Sequence, residues 1–168
     1  MQNLKKLEKH NKRLIEFCLS KAYPDGIITL ERLIDDNLIN GPQVAELAVC
    51  RTNGFLDIHP IGIGQDLTDG SDVKTITVQE EIYQGKKSKL KRHRAQIKDV
   101  CSKIGTLRTI AYNPFFDKWL YFIIPNKYFS HLKKITISFD QQTGEPKGIY
   151  QNFQVPSWEE LCQTEIKN

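Results

Sequence analysis

Residues 65–78 read Gln65-Asp66-Leu67-Thr68-Asp69-Gly70-Ser71-Asp72-Val73-Lys74-Thr75-Ile76-Thr77-Val78, and this stretch decides how the chain is interpreted. From residue 72 onward, polar residues alternate with apolar or β-branched ones, which predicts a strand. The preceding residues are rich in Asp, Gly and Thr and predict a turn. Residues two apart on a strand share a face, so we expect Asp72 and Lys74 to point the same way. The turn is short enough to fold Asp66 back beside Asp72, which places two carboxylates and an amine at one strand end.

Two carboxylates beside an amine suit metal-assisted hydrolysis. A hard cation such as Mg²⁺ is held by one or two carboxylates and completes its shell with water and phosphate oxygens. Such an ion lowers the pKa of a bound water and neutralises charge that builds on a phosphate. The ammonium of Lys74 would position that water or stabilise the developing charge. The same charges also suit the solvated edge of a hairpin, because Asp-x-Lys is a short pattern in a chain with 26% charged residues.

The composition of the chain limits the classes of protein to which it can belong. The 168 residues are enough for a single domain, 1–168, with a core, and 39% apolar residues is ordinary for a globular protein. No apolar run approaches the roughly 20 residues of a membrane span, and no signal peptide is evident, so we expect a cytoplasmic protein without a membrane partner. Four scattered cysteines without a Cys-x-x-Cys pair favour free thiols over zinc or disulfides. The net charge of +4 permits a nucleic-acid partner without requiring one.

Helical patterns dominate the first third of the chain. Apolar residues at helical spacing predict an amphipathic helix over residues 3–20. A shorter helix is predicted from Thr29, its cap, to Asp36, with Leu30, Leu33 and Ile34 buried. A third helix begins at Pro42 and ends near Asn53-Gly54.

Glu46 is an acid inside the apolar part of the third predicted helix. A carboxylate near a buried face needs a partner. That partner is a metal site, Lys74, or an arginine such as Arg51, and the sequence leaves these three open. Asp57, upstream of the predicted strand, also rivals Asp66 as the first acid of the site.

A basic cluster follows the predicted metal-binding strand, with six basic residues in nine positions. Runs of this kind are most often solvated faces or flexible loops. Here the run lies where a polyanion would have to lie, and neutralising phosphates is its natural use. The cluster comprises Lys86, Lys87, Lys89, Lys91, Arg92 and Arg94.

The second half of the chain predicts the rest of a sheet. A helix over about 92–104 is followed by strands over 106–112 and 119–125, and the second strand is apolar on both faces, which is typical of a central strand. The strand-helix-strand order suits a right-handed crossover between parallel strands. Residues 134–140 and 148–155 predict a C-terminal β-hairpin, and a final helix begins after Ser157.

The order of these segments resembles the PD-(D/E)XK nuclease superfamily, which includes type II restriction endonucleases and the mismatch-repair nicking endonuclease MutH. The resemblance covers about residues 42–125: a helix with Glu46, then Asp66, then Asp72-Val73-Lys74, a basic helix and hydrophobic strands. It implies an α/β fold, a mixed central sheet flanked by helices in a restriction-endonuclease-like αβα core.

The resemblance also implies a role for each residue of the motif. Asp66 and Asp72 would bind Mg²⁺, helped by the backbone carbonyl of Val73. Lys74 would orient or activate the attacking water, and Glu46 would take the place of an accessory acid. Asp66 follows a glutamine rather than a proline and lies close to Asp72 in sequence. Asp57 or Asp69 therefore stays open as the upstream acid.

The expected function is that of a Mg²⁺-dependent endonuclease of double-stranded DNA, most plausibly of the type found in restriction systems. Cutting both strands of a palindrome calls for a symmetric homodimer. A nuclease toxin or a nicking repair enzyme fits the same motif.

Two other classes of protein remain open. One is a non-catalytic DNA- or RNA-binding protein that uses residues 86–94 for phosphates and Tyr112, Phe115 and Phe116 for stacking. The other is an interaction protein whose lysines are merely solvated.

Overall fold

In its described residues, the computed structural model shows a mixed four-stranded sheet, a three-stranded sheet and four α-helices. The described residues are 2–36, 38, 41–54, 56–59, 66–83, 86–96, 105–132 and 134–163. The α-helices are α1 (Gln2–Ala22), α2 (Leu30–Asp35), α3 (Gly41–Asn53) and α4 (Trp158–Gln163). The strands are β1 (Ser71–Thr77), β2 (Gln79–Tyr83), β3 (Lys86–Gln96), β4 (Thr106–Asn113), β5 (Lys118–Pro125), β6 (Lys134–Phe139) and β7 (Gln154–Val155).

All four α-helices lie where the sequence predicts helices, and their ends carry the expected signals. The hydroxyl of Thr29 accepts a hydrogen bond from the backbone N–H of Arg32 at 3.2 Å and so caps α2. Ser157 caps α4 in the same way, through the N–H of Glu160 at 3.2 Å. Gly54 follows α3 with a φ of 73°, a left-handed conformation that glycine adopts without strain.

The apolar side of α2 is not buried, contrary to the prediction. Leu30 and Ile34 are 74% and 67% exposed, whereas Leu33 packs partly against the core. The helix has only six residues. Polar contacts hold the segment instead, because the carboxylate of Asp36 accepts a hydrogen bond from Tyr23 at 2.6 Å and two more from Arg51.

The four-stranded sheet has the order β1-β4-β5-β7. β1 and β4 are parallel, as the predicted crossover requires, and the other pairs are antiparallel. β5 has a neighbour on each side, which confirms it as a central strand. β1 is the terminal strand of this order, so one of its edges is not paired within the sheet.

The basic segment forms β3 and not the start of a helix, so the prediction of a helix over 92–104 is wrong for residues 92–96. Residues 97–104 of that prediction lie outside the described part of the chain. β3 is the central strand of the second sheet, between β2 and β6. Lysine and arginine favour helices in isolation, but pairing on both sides satisfies the backbone N–H and C=O groups of β3 and outweighs that preference.

The predicted C-terminal hairpin is not confirmed. β6 pairs with β3, residues 148–153 form a 3-10 helix, and the short β7 pairs with β5. The two segments therefore join different sheets.

Two cores lie on opposite faces of the four-stranded sheet. On one face Val73 and Ile110 pack among side chains of α1, α3 and α4. On the other face Ile76, Leu107 and Phe122 pack against β6 and the 3-10 helices at 126–128 and 148–153. The fold is thus α/β, a mixed sheet flanked by helices, and the second sheet covers much of the face away from α1 and α3.

The cysteines follow the sequence prediction where the structure describes them. Cys18, Cys50 and Cys162 are buried free thiols, and Cys101 lies outside the described residues. Burial raises the pKa of each of these three thiols to about 12. None of the helices in the described ranges has the length and apolar character needed to cross a bilayer.

Candidate active site

A tight loop before β1 turns Asp66 back toward the strand. The backbone N–H groups of Asp66 and Leu67 both donate to the carbonyl of Ser71, at 3.0 and 3.1 Å. Gly70, with a φ of 81°, donates to the carbonyl of Leu67 and allows the sharp turn. The N–H of His59 donates to the carbonyl of Asp66 at 2.8 Å, which ties the loop to the preceding segment. The backbone alone thus positions Asp66 beside the start of β1.

The structure brings together the three charged side chains that the sequence selects. Asp66 Oδ2 accepts a hydrogen bond from the backbone N–H of Val73 at 2.8 Å. Lys74 Nζ lies 2.5 Å from Asp72 Oδ2 and 3.9 Å from Asp66 Oδ2. The Asp72 side chain is only 5% exposed, whereas those of Asp66 and Lys74 are 19% and 32% exposed. The cluster is therefore closed at Asp72 and open to solvent on the side of the lysine.

The backbone of Val73 presents its carbonyl toward the same edge. Within a strand, the N–H and C=O groups of one residue point to the same side. Because the Val73 N–H donates to Asp66 and not to β4, the Val73 carbonyl also faces away from β4. Two of the oxygen ligands that the resemblance implies, the Asp66 carboxylate and the Val73 carbonyl, therefore lie at this edge of β1, and the Lys74 ammonium lies within 3.9 Å of both Asp66 and Asp72.

Asp72 is the most perturbed group of the cluster. Burial, followed by the contact with the Asp66 carboxyl, holds the pKa of Asp72 well above its usual range, and Lys74 offsets this only in part. Asp72 Oδ2 is buried, and the group that lies against it is the Lys74 ammonium at 2.5 Å. Two acids sharing one lysine leave a negative excess that a cation would neutralise.

Glu46 belongs to the same electrostatic environment. Burial raises the pKa of Glu46 to about 7, the charge of Asp66 adds to this effect, and Lys74 opposes it. Of the three partners that the sequence leaves open, the structure assigns Arg51 elsewhere. The Arg51 guanidinium binds the carboxylate of Asp36 at 2.8 and 3.0 Å and the carbonyl of Ala22 at 2.8 Å. The pKa of Glu46 on α3 thus depends on the charges of Asp66, Asp72 and Lys74.

The two rival upstream acids have other surroundings. Asp69 Oδ2 lies 2.8 Å from Arg108 Nη2, and Asp69 Oδ1 accepts hydrogen bonds from the N–H and hydroxyl of Ser71 at 2.9 and 2.5 Å. Burial acts to raise the pKa of Asp69, but the hydrogen bonds from Ser71 and Arg108 outweigh it and the net pKa is lowered. Asp57 is exposed. The geometry therefore favours Asp66 as the partner of Asp72.

Arg108 is a residue of this region that the sequence prediction missed. Its side chain is 1% exposed and donates to Ser71 Oγ at 3.1 Å, to Asp69 and to the backbone carbonyl of Leu161. It thereby links the loop before β1 to β4 and α4. The sequence signal for this contact is an arginine inside the strand predicted over 106–112. A guanidinium that is buried in a sheet requires an acid nearby.

The basic cluster lies on a strand that contacts β1. All six of its residues lie on β3, and β3 contacts β1. Their side chains lie outside what the structure describes. Of the predicted stacking residues, Tyr112 is buried, and its hydroxyl binds Arg13 and Asp117 at 2.7 Å, so it is not a surface for bases. Phe115 is 46% exposed.

The oxygen donors of this cluster are of the kind that Mg²⁺ binds. Mg²⁺ needs only one or two carboxylates and keeps several waters. Asp66, Asp72 and the Val73 carbonyl meet that requirement. In the described ranges, no group of three or more His, Cys, Asp or Glu side chains is arranged to hold a metal ion. Comparison with protein-family models, curated proteins and solved structures gives no match.

Proposed function

We propose that this chain is a Mg²⁺-dependent endonuclease that hydrolyses phosphodiester bonds of double-stranded DNA. The observation that carries the proposal is the convergence of Asp66, Asp72 and Lys74 at one edge of β1, where two carboxylates, one of them buried, share one ammonium. Structural ion pairs are normally satisfied, whereas this cluster has an excess of acid. Such an excess is suited to a divalent cation that arrives with its substrate.

Each residue of the cluster has a part in the proposed reaction. Asp66, Asp72 and the carbonyl of Val73 hold Mg²⁺, which supplies an activated water and neutralises charge on the phosphate when it is bound. Lys74 donates a hydrogen bond to the attacking water or to the phosphate as its charge develops. Glu46, with its pKa near neutral pH, accepts a proton released at the site.

The basic strand supplies the affinity for DNA in this proposal. Its six lysines and arginines lie on β3 beside β1 and would neutralise phosphates next to the scissile bond. A restriction-type enzyme that cuts both strands of a palindrome would work as a homodimer with two-fold symmetry. Oligomeric state on a DNA duplex is measured by light scattering.

Plasmid cleavage tests the proposal directly. We expect the wild-type protein to nick or linearise plasmid with Mg²⁺ and to stop when the metal is chelated. Lys74→Ala and Asp72→Asn should each reduce the rate at least about 100-fold, the scale of a lost group that acts on the transition state. Lys118→Ala is the matched control, because Lys118 also pairs with an acid, Glu145 at 2.6 Å, but lies away from the site. Absence of Mg²⁺-dependent cleavage, or full activity of Lys74→Ala, contradicts the proposal.

The second candidate is a nucleic-acid-binding protein without catalysis. It is favoured by the ordered pairing of β3 with β2 and β6, which presents the basic residues on a sheet and not on a loop. It predicts salt-sensitive binding of DNA or RNA that Asp72→Asn leaves unchanged, without cleavage. Binding and cleavage measured on one labelled duplex separate the two candidates.

A further inference from the structure

Thr109 carries a second buried polar atom without a hydrogen-bond partner. Thr109 is fully buried on β4, and its Oγ1, like Asp72 Oδ2, finds no partner within the described chain. A buried hydroxyl without a partner destabilises the folded state, and native proteins contain few of them. The position of this hydroxyl therefore requires an explanation.

Thr109 lies next to the lysine of the candidate site. In the parallel pairing of β1 with β4, Thr109 is the register partner of Lys74, and Leu107 is that of Asp72. Paired residues of neighbouring strands point to the same face of a sheet, and the strands lie about 4.8 Å apart. Both unsatisfied atoms are thus on the face of the sheet that carries Lys74, one on its own strand and one on the next strand.

The contact between Lys74 and Asp72 conflicts with metal binding. Lys74 Nζ lies 2.5 Å from Asp72 Oδ2, within the space that a cation bound to that oxygen would require. A cation and an ammonium also repel each other at such a distance. For Asp72 to act as a ligand, the ammonium has to move away and find another acceptor, because an ammonium has three donors to satisfy.

We propose that Thr109 is a positioning residue whose hydroxyl accepts a hydrogen bond from Lys74 when Asp72 binds the metal. This inference rests on the proposed Mg²⁺ site. It accounts for a buried hydroxyl that has no partner among the described residues while the neighbouring Lys74 ammonium lies against Asp72. It also holds the Lys74 ammonium on the face of the sheet that carries Asp72.

Three threonine variants test the role of Thr109. Thr109→Val keeps the shape and removes the hydroxyl, and Thr109→Ser keeps the hydroxyl. Thr77→Val is the matched control, since Thr77 is a buried threonine of β1 on the opposite face, with its hydroxyl 3.3 Å from Asn11 Oδ1. The measurements are thermal unfolding without metal, Mg²⁺ affinity by calorimetry, and plasmid cleavage.

We expect Thr109→Val to unfold at or above the wild-type temperature without metal, because it removes an unsatisfied hydroxyl. Its Mg²⁺ affinity should fall about tenfold, a change of about 1.4 kcal/mol. Thr109→Ser should restore that affinity. Thr77→Val should unfold at a lower temperature and bind Mg²⁺ like the wild type.

Two results would overturn this role. One is a Thr109→Val protein that binds Mg²⁺ as tightly as the wild type, and the other is a Thr109→Val protein destabilised as much as Thr77→Val, which would give the hydroxyl a structural partner. If the wild type still cleaves plasmid, either result removes only the role of Thr109. A wild-type protein that neither binds Mg²⁺ nor cleaves DNA removes the proposed function as well.

Discussion

Two acidic clusters lie side by side on the segment from Asp66 to Lys74, and they are built in opposite ways. In the first, Asp69 receives hydrogen bonds from Ser71 and from Arg108, and its pKa is lowered. In the second, Asp66 and Asp72 share one lysine, and the pKa of Asp72 is raised by burial and by its neighbour. In the first cluster both oxygens of one carboxylate have hydrogen-bond partners, whereas in the second two carboxylates share one ammonium and leave an excess of negative charge.

This contrast separates a carboxylate that stabilises the fold from carboxylates available to a ligand. Asp69 and Arg108 hold the loop to β4 and α4, and the loop in turn holds Asp66 beside Val73. The contacts of Asp69 with Arg108 therefore fix the loop that holds Asp66 beside the start of β1. Proximity and residue type alone do not distinguish the two clusters, but the number of hydrogen bonds and the direction of the pKa shift do.

The largest change in unfolding free energy is expected from removing Asp69, the acid that pairs with Arg108. Asp69→Ala leaves the guanidinium of Arg108 buried without its acid, which costs about 3–5 kcal/mol of unfolding free energy. Asp57→Ala, at an exposed acid of the adjoining segment, should change stability by no more than about 0.5 kcal/mol. Urea unfolding of both variants measures the difference. A loss below about 1 kcal/mol for Asp69→Ala would mean that Arg108 is satisfied by its other contacts.

A smaller change in unfolding free energy is expected when Mg²⁺ binds to Asp66 and Asp72. Mg²⁺ at 100 times its dissociation constant should raise the unfolding free energy by about 2.7 kcal/mol at pH 8. Binding requires deprotonated carboxylates, and the pKa of Asp72 is raised, so the affinity for Mg²⁺ should weaken as the pH falls below 7. Asp66→Asn should abolish the stabilisation. Equal stabilisation of wild type and Asp66→Asn would place the ion elsewhere.

The smallest change in unfolding free energy is expected from the substitution of Glu46. Its pKa of about 7 lies above the ordinary value of 4.5, so the folded protein binds more protons than the unfolded chain between these pH values. The stability that Glu46 contributes is present below pH 4.5 and is lost as the pH rises through 7. Glu46→Gln should therefore stabilise the metal-free protein by about 1–2 kcal/mol at pH 8 and have little effect at pH 4.

Glu145 is the control for the sign of the stability change expected for Glu46→Gln. Its pKa is lowered, chiefly by the hydrogen bond from Lys118, so its contribution is present above the ordinary pKa and lost in acid. Glu145→Gln should therefore destabilise the protein at pH 8, opposite to Glu46→Gln. Thermal unfolding at pH 4 and pH 8 compares the two variants. The same sign for both would contradict the electrostatic assignment of Glu46.

Local signals predicted much of the fold and the pair of acids beside the lysine. The Thr29 and Ser157 caps, the glycine after α3 and the alternation of β1 act over a few residues, and the structure confirms each of them. The loop that returns Asp66 to Val73 is also local, because the six residues between them form one turn and the start of one strand. Such features depend little on the rest of the chain.

The features that the sequence did not predict depend on distant partners. The basic residues of β3 favour a helix until β2 and β6 pair with them, and β6 lies about 40 residues further along the chain. Arg108 meets Asp69 only because β4 lies parallel to β1. Leu30 and Ile34 have helical spacing, but nothing local to α2 reveals whether a core lies beneath them.

The parallel pairing of β1 with β4 has a consequence for biosynthesis. Glu46, Asp66, Asp72 and Lys74 all leave the ribosome before β4, yet Thr109, Arg108 and the pairing edge that support them are translated later. Closing a loop of this length costs entropy that only the completed sheet returns. A nascent chain that stops before residue 105 would contain every proposed metal ligand without the strand that holds them in place, so the proposed site would not form before β4 is synthesised.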